Sequence, residues 1–191
     1  MSTRGRPRDP AINEAILTAT RNLLVEVGYA NLSMEAVAAR AGVSKPTLYL
    51  RYPARAVLVF EAVFGKTKAR AMPNNGSIRA DLQEAYDWAV EEFTAPEARA
   101  AIPALLAEVS TNPEVAQLIR TVVIGPEYGR VRGQLELAQQ RGEISAGADL
   151  DLVIDAFIGT ALARVTLLDR PLDHTYSERL VNLLLDGVAA R

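Results

Sequence analysis

Between positions 44 and 55 the chain reads SKPTLYLRYPAR, which sets Lys45, Thr47, Tyr49, Arg51 and Arg55 close together. Lysine and arginine neutralise phosphate and donate to guanine, threonine hydrogen-bonds or touches a thymine methyl, and tyrosine reaches phosphate oxygens. These are groups for a nucleic-acid groove, and double-stranded DNA is the partner they point to.

Presenting them requires two short helices joined by a tight turn. Ser33 is a good N-cap, and Val37, Ala38 and Ala41 fall on one face of a helix over 33–40. Gly42 suits the left-handed position after that helix, and Val43 drops an apolar side chain under the turn. Ser44 caps a second helix over 44–51, in whose first turn Pro46 forfeits no hydrogen bond. Leu48 and Tyr52, four apart, plug the core and leave Lys45, Pro46, Thr47, Tyr49 and Arg51 to a facing groove. Small residues at Ala38 and Gly42 let the two helices cross closely. Glu35 either serves the dipole of its own helix or, facing the groove, sits near phosphate.

A plain helical hairpin with a solvated basic face has the same spacing. Charge partition weighs against it: residues 1–70 carry 11 Lys and Arg against 5 Asp and Glu, a net of +6, and the remainder carries a net of −8. An overall pI near 5.6 hides this asymmetry. All three lysines, Lys45, Lys66 and Lys68, lie in the basic part.

The segment from Ile12 to Val63 resembles the DNA-binding domain of the TetR family of bacterial transcriptional regulators. The resemblance rests on Ile16 and Leu23-Leu24 in a first helix, Gly28-Tyr29 closing it, Ser33, the AGVSKPTLY run from Ala41 to Tyr49, Tyr52, and a basic residue at Arg55. It implies major-groove contacts from Lys45, Pro46, Thr47, Tyr49 and Leu50, with phosphate contacts from Ser33, Arg51 and Arg55. Arg51 stands where the family often has histidine, and Ala54-Arg55-Ala56 where Ser-Lys-Glu is common. Leu50 either touches a thymine methyl or packs against the following helix. Ahead of the first helix, Arg4, Arg6 and Arg8 form a short basic arm. It either enters the minor groove, narrowing preference toward A·T pairs, or adds nonspecific affinity as a disordered tail.

Composition bounds the rest. With 191 residues, 49% hydrophobic content and no apolar run of bilayer length, a soluble globular chain of one or two domains is expected. The absence of cysteine and of an apolar leader predicts a cytoplasmic protein with no disulfide, thiolate metal site or membrane partner. No HExxH, phosphate loop or cysteine nucleophile is present. The sole histidine, His174, reads as a capping or surface residue, and Glu91-Glu92 diverge on a helix. Neither an enzyme, a metal nor a cofactor is expected.

Apolar residues recur at three and four, which predicts an all-α fold. Helices are expected over 10–27, 33–40, 44–51, 54–70, 77–93, 96–110, 113–140, 149–169 and 174–189. The expected division is a helix-turn-helix domain over 1–53 and an effector-binding and dimerisation domain over 54–191, with Pro73-Asn74-Asn75-Gly76 as the clearest turn. Pro103 should kink its helix and Gly125-Pro126 should break the long one, leaving room for a cavity. The resemblance implies a small-molecule pocket in this half. Trp88, Phe93, Leu106, Val122, Tyr128, Phe157 and Arg164 are its candidate lining, although each also reads as ordinary packing. Arg164 either holds a ligand carboxylate or pairs with Asp155 or Glu108.

The last two helices read as an assembly surface. Ala156, Gly159, Thr160 and Ala163 form a strip of small residues, and Leu180, Leu184, Gly187 and Val188 form the apolar side of the final helix. Two such helices from each of two chains would build a four-helix bundle, presenting paired recognition helices one DNA turn apart. The alternative is a monomer that buries these faces internally. On the resemblance, the expected function is a homodimeric repressor released from a palindromic operator by a small molecule, or else an effector-independent regulator or activator.

Overall fold

A chain rich in alanine and leucine, punctuated by serine, asparagine and aspartate caps, folds as helix after helix, with no strand among the described residues. The computed structural model describes residues 10–187 and, within them, all side chains except those of residues 67–69. The arm residues Arg4, Arg6 and Arg8, and Val188 of the expected interface, lie outside this span.

The order is α1 (Pro10–Asn31), α2 (Met34–Ala41), α3 (Lys45–Arg51), α4 (Arg55–Ala69), α5 (Ile78–Thr94) and α6 (Pro96–Thr111). There follow α7 (Pro113–Ile119), a π-helical turn (Arg120–Ile124), α8 (Gly125–Gln140), α9 (Leu150–Thr166) and α10 (His174–Asp186). Side-chain oxygens satisfy orphan backbone donors at the helix starts: Ser77 accepts from the Ala80 amide at 3.3 Å and Asp173 from the Tyr176 amide at 2.9 Å. The turn before α5 is tied down as its residue types require, since the Asn75 amide donates to Asp81 Oδ1 at 2.6 Å.

Helix α6 lies along α1 and against α4, so the basic amino-terminal third is joined broadly to the acidic remainder. Ile16 and Leu24 of α1, Leu48 of α3 and Leu58 of α4 belong to one apolar core with Tyr86 of α5 and Ile102 of α6. That core runs unbroken past residue 53. A second cluster gathers Ile78 and Leu82 of α5, Leu135 and Ala138 of α8, and Ile154 of α9.

The expected close of the first helix at Gly28 is present, and Gly125-Pro126 takes a different form from the one expected. The first helix is interrupted at Gly28 (φ 74°, ψ 170°), and helical geometry resumes for a short turn to Asn31. Pro103 lies inside α6, which continues through it to Thr111. The helix over 113–140 is not broken at Gly125-Pro126. It widens into the π turn just before them, and Pro126, which has no N–H, falls in the first turn of the helix that follows.

Gly125 is required there by space: a Cβ at this position would lie 2.9 Å from the Arg120 carbonyl oxygen, whereas one at Gly129 would meet nothing within 4 Å. Gly125→Ala should therefore destabilise the fold by about 1–3 kcal/mol through overpacking. Gly129→Ala should stabilise it by up to ~1 kcal/mol through helix propensity. Urea unfolding of the two variants checks the opposite signs.

Candidate nucleic-acid interface

The α2–α3 unit is set by local chemistry. Ser33 Oγ accepts from the Ala36 amide at 3.1 Å and Ser44 Oγ from the Thr47 amide at 3.3 Å, so each helix has a side-chain cap. Gly42 takes φ 68°, ψ 28°, and the following Val43 amide donates to the Ala38 carbonyl at 3.0 Å, closing the turn. Leu48 is fully buried, and Tyr52 is buried with its hydroxyl donating to Asn13 Oδ1 at 2.7 Å. These two anchors fix the rotation of α3 and leave its other faces outward.

On those faces Lys45, Pro46 and Tyr49 are exposed and Thr47 is half-buried, its hydroxyl 2.8 Å from that of Ser44. Leu50 is 83% exposed, which removes burial against α4 from its two alternatives. Arg51 is half-buried, and its Nη1 is a buried donor with no hydrogen-bond partner among the described residues. Such an orphan costs free energy, and the guanidinium must turn outward to offer that donor to an anion. Lys45 Nζ sits 3.0 Å from Glu35 Oε1, and this hydrogen bond holds the Glu35 carboxyl below the usual carboxylate range.

Arg55, where the resemblance implied a phosphate contact, is held by protein groups. Its Nη2 lies 3.2 Å from Glu108 Oε2, its Nη1 donates to the Leu32 carbonyl at 3.4 Å, and its guanidinium stacks 4.4 Å from the Tyr29 ring centroid. The Tyr29 hydroxyl donates to the same Glu108 oxygen at 2.5 Å. Burial and this carboxylate together push the Tyr29 hydroxyl well above its ordinary pKa. A carboxylate presented by α6 has drawn the cation inward. Sequence reasoning named Glu108 only as a partner for Arg164, because nothing in the spacing brings α6 to the end of α1.

The expected pocket residues meet different neighbours. Phe93 packs with its centroid 5.1 Å from that of Phe64, Trp88 lies under the Arg70 guanidinium at 5.1 Å, and Leu106 is exposed. The Tyr128 hydroxyl donates to the Asp151 carbonyl at 3.1 Å. Val122 lines an open apolar groove of about 530 Å³ with Pro113, Glu114, Gln117, Leu118 and Thr121. Phe157 meets Tyr86 edge-on at 4.2 Å, and Arg164 stacks 3.8 Å from the Tyr176 ring while donating to the Pro171 carbonyl at 2.8 Å. Among the described residues Arg164 is thus held by Pro171 and Tyr176 and not by Asp155 or Glu108. Tyr86, absent from the sequence-based lining, is the aromatic centre here, its hydroxyl pushed up to about 12 by burial.

The expected assembly residues also divide. Gly159 and Gly187 are exposed, and Ala156, Thr160, Ala163 and Leu184 are half-buried. Leu180 belongs to the protomer core, because its side of α10 packs on α5. The large apolar side chains left outward on and beside these helices are Leu152, Ile158, Leu167, Leu168 and Leu183. Sequence periodicity could not separate the two sides of α10, both of which carry leucines.

His174 opens α10 behind the capping Asp173, with Nδ1 2.7 Å from Asp87 Oδ2. Ser177, fully buried, donates to the other Asp87 oxygen at 2.6 Å. The carboxylate stands between hydroxyl and imidazole, so the imidazole is not placed as a base on the serine.

A capped helix-turn-helix with an outward, polar and cationic second helix, built into an all-helical body, defines a DNA-binding regulator. Residues 16–62 match the family model described as "Bacterial regulatory proteins, tetR family", and residues 72–184 match "Tetracyclin repressor-like, C-terminal domain". The chain is 33% identical to an uncharacterized HTH-type transcriptional regulator of Mycobacterium bovis, Mb1581, over 87% of this chain and 84% of that protein. It is 27% identical to the DNA-binding transcriptional repressor TetR of Mycobacteroides abscessus, over 97% of this chain and 95% of that protein. The crystal structure of the TetR family transcription regulator SCO0332 superposes with a TM-score of 0.76 at 30% identity, covering 94% of this chain and 99% of the other. The protein belongs to the TetR family and is a DNA-binding transcriptional regulator, and regulators of this family bind DNA and dimerise. No helix among the described residues is long and apolar enough to cross a membrane.

Tyr29→Phe removes a hydrogen bond to a charged acceptor and should cost about 1.5–3 kcal/mol of stability, read as a lowered urea midpoint at neutral pH. Because the native state holds the Tyr29 and Tyr86 hydroxyls protonated, the unfolded chain loses those protons first. Stability contributed by the two is present below pH ~10 and falls as pH rises above it. Alkaline unfolding followed by tyrosinate absorbance should show their ionisation coinciding with loss of helicity.

Proposed function

We propose that the protein is a homodimeric repressor that binds a palindromic operator through paired α3 helices and is released by a small-molecule ligand held in the carboxy-terminal helices. The observation that carries the DNA half of this reading is α3 itself. Leu48 is fully buried, while Lys45, Tyr49 and Leu50 stand outward beside the half-buried Arg51. On this reading Lys45, Pro46, Thr47, Tyr49 and Leu50 touch bases, with Leu50 reaching a thymine methyl, and Ser33, Arg51 and the partly exposed Arg55 touch phosphate. Repression is supported by the full-length likeness to a repressor.

Dimerisation is assigned to the outward side of α9 and α10, where Gly159 lets a partner helix approach and Leu152, Ile158 and Leu183 supply apolar area. Ligand response is supported by the Tyr29–Glu108–Arg55 junction, through which a shift of α6 reaches both ends of the DNA-binding unit. An effector-independent regulator is the second reading, favoured by the packing of Phe93 on Phe64 and of Arg164 on Tyr176.

Selection from a random duplex library with the purified protein at near-physiological salt tests the proposal. A palindrome with half-sites about one helical turn apart is expected, and a screen for compounds that release the recovered site separates the two readings. Arg51→Ala should weaken all duplexes and flatten the salt slope by about one unit. Thr47→Ala should change the preferred base at one position per half-site. Uniform loss in both variants refutes the division of roles. Leu183→Asp should yield a folded monomer in sedimentation equilibrium, and a dimer unchanged by it refutes the assigned interface.

A further inference from the structure

Glu35 has so far no part in DNA reading, yet it is the residue that holds Lys45. It is the second residue of α2, Lys45 is the first of α3, and the two side chains, 52% and 59% exposed, meet at 3.0 Å with no packing to force them together. An anionic side chain beside the recognition helix is unfavourable against a phosphate backbone unless the groove offers it a donor. In the major groove those donors are cytosine N4 and adenine N6.

We propose that Glu35 and Lys45 read a single G·C pair as one unit, the ammonium on guanine O6 and N7 and the carboxylate on cytosine N4. Guanine O6 and cytosine N4 are themselves hydrogen-bonded, hence about 2.9 Å apart, and a Lys45 Nζ and Glu35 Oε1 separated by 3.0 Å match them donor to acceptor and acceptor to donor. A·T offers the pair a poorer fit. Its adenine N6 donor and thymine O4 acceptor supply the lysine with one acceptor, where guanine supplies two. The ion pair also keeps the long Lys45 side chain from seeking phosphate, so its charge is delivered to base edges. Glu35 thereby becomes a specificity-determining residue that costs some affinity for arbitrary DNA and adds discrimination at one position.

This inference rests on α3 being the sequence-reading helix, and the test separates the two. Full-length wild type, Glu35→Gln and Lys45→Gln are each put through duplex selection at the same salt. Wild type should recover a G·C pair at one column of each half-site. Both variants should keep the rest of the motif and relax that same column, by roughly tenfold or more. The pairing is overturned if Glu35→Gln recovers the wild-type motif unchanged, if the two variants relax different columns, or if the shared column is A·T. It is likewise overturned if Glu35→Gln tightens all sequences equally, which is the mark of relieved repulsion alone. A wild-type selection that enriches no motif refutes the reading of α3 itself, and the pairing with it.

Discussion

At the seam between α1, α4 and α6, the carboxylate of Glu108 takes a hydrogen bond from the buried Tyr29 hydroxyl and the charge of Arg55. Three helices that begin and end at different places are thereby pinned at one point. The pin is partly desolvated, which makes a charge-assisted hydrogen bond worth more than at the surface, on the order of 1.5–3 kcal/mol. Allosteric coupling energies commonly fall in a similar range, about 1–3 kcal/mol. Movement of α6 must therefore carry the end of α1 and the start of α4 with it, or break an interaction of that size. The apolar packing of α6 on α1 and α4 extends the same constraint along the helices.

The recognition helix depends on this scaffold because it has almost no stability of its own. Seven residues make fewer than the turns an isolated helix needs in water. Its conformation comes from the Ser44 cap, the turn at Gly42 and burial of Leu48 and Tyr52 in the apolar core. Anchoring by one face is also what makes the opposite face precise, since rotating a helix with a buried leucine would expose that leucine. The rigidity of the reading surface is a product of the core beneath it.

How much of this was legible in the sequence follows from the range of the interactions. Caps, turns and periodicity act over three or four residues, and Ser33, Gly42, Ser44, Leu48 and Tyr52 behave as their types and spacing require. The helix order was legible for the same reason. The fate of Arg55 was not, because Glu108 lies 53 positions away and no local pattern joins them. Leu180 and Leu183 illustrate a second limit. Both belong to a leucine-rich helix, and only the position of α5 decides that one is core and the other surface. The aromatic grouping of Tyr86, Phe157 and Tyr176 draws on α5, α9 and α10, so pattern along any single helix shows only its parts.

The π turn between α7 and α8 has a bearing on the whole carboxy-terminal half. It closes its hydrogen bonds one residue later than an α-helix, so the chain accommodates a residue without lengthening by a full α-helical step. Each residue of an α-helix advances the side-chain direction by about 100°, and everything after Ile124 is aimed by that amount differently from an unbroken helix. Leu135 and Ala138, which lie beyond the turn, pack with α5 and α9 in the second core. The turn works as a rotational gear, setting which side of α8 faces the second core, and the chain keeps that alignment only while the residue count between Pro113 and Leu135 stays fixed.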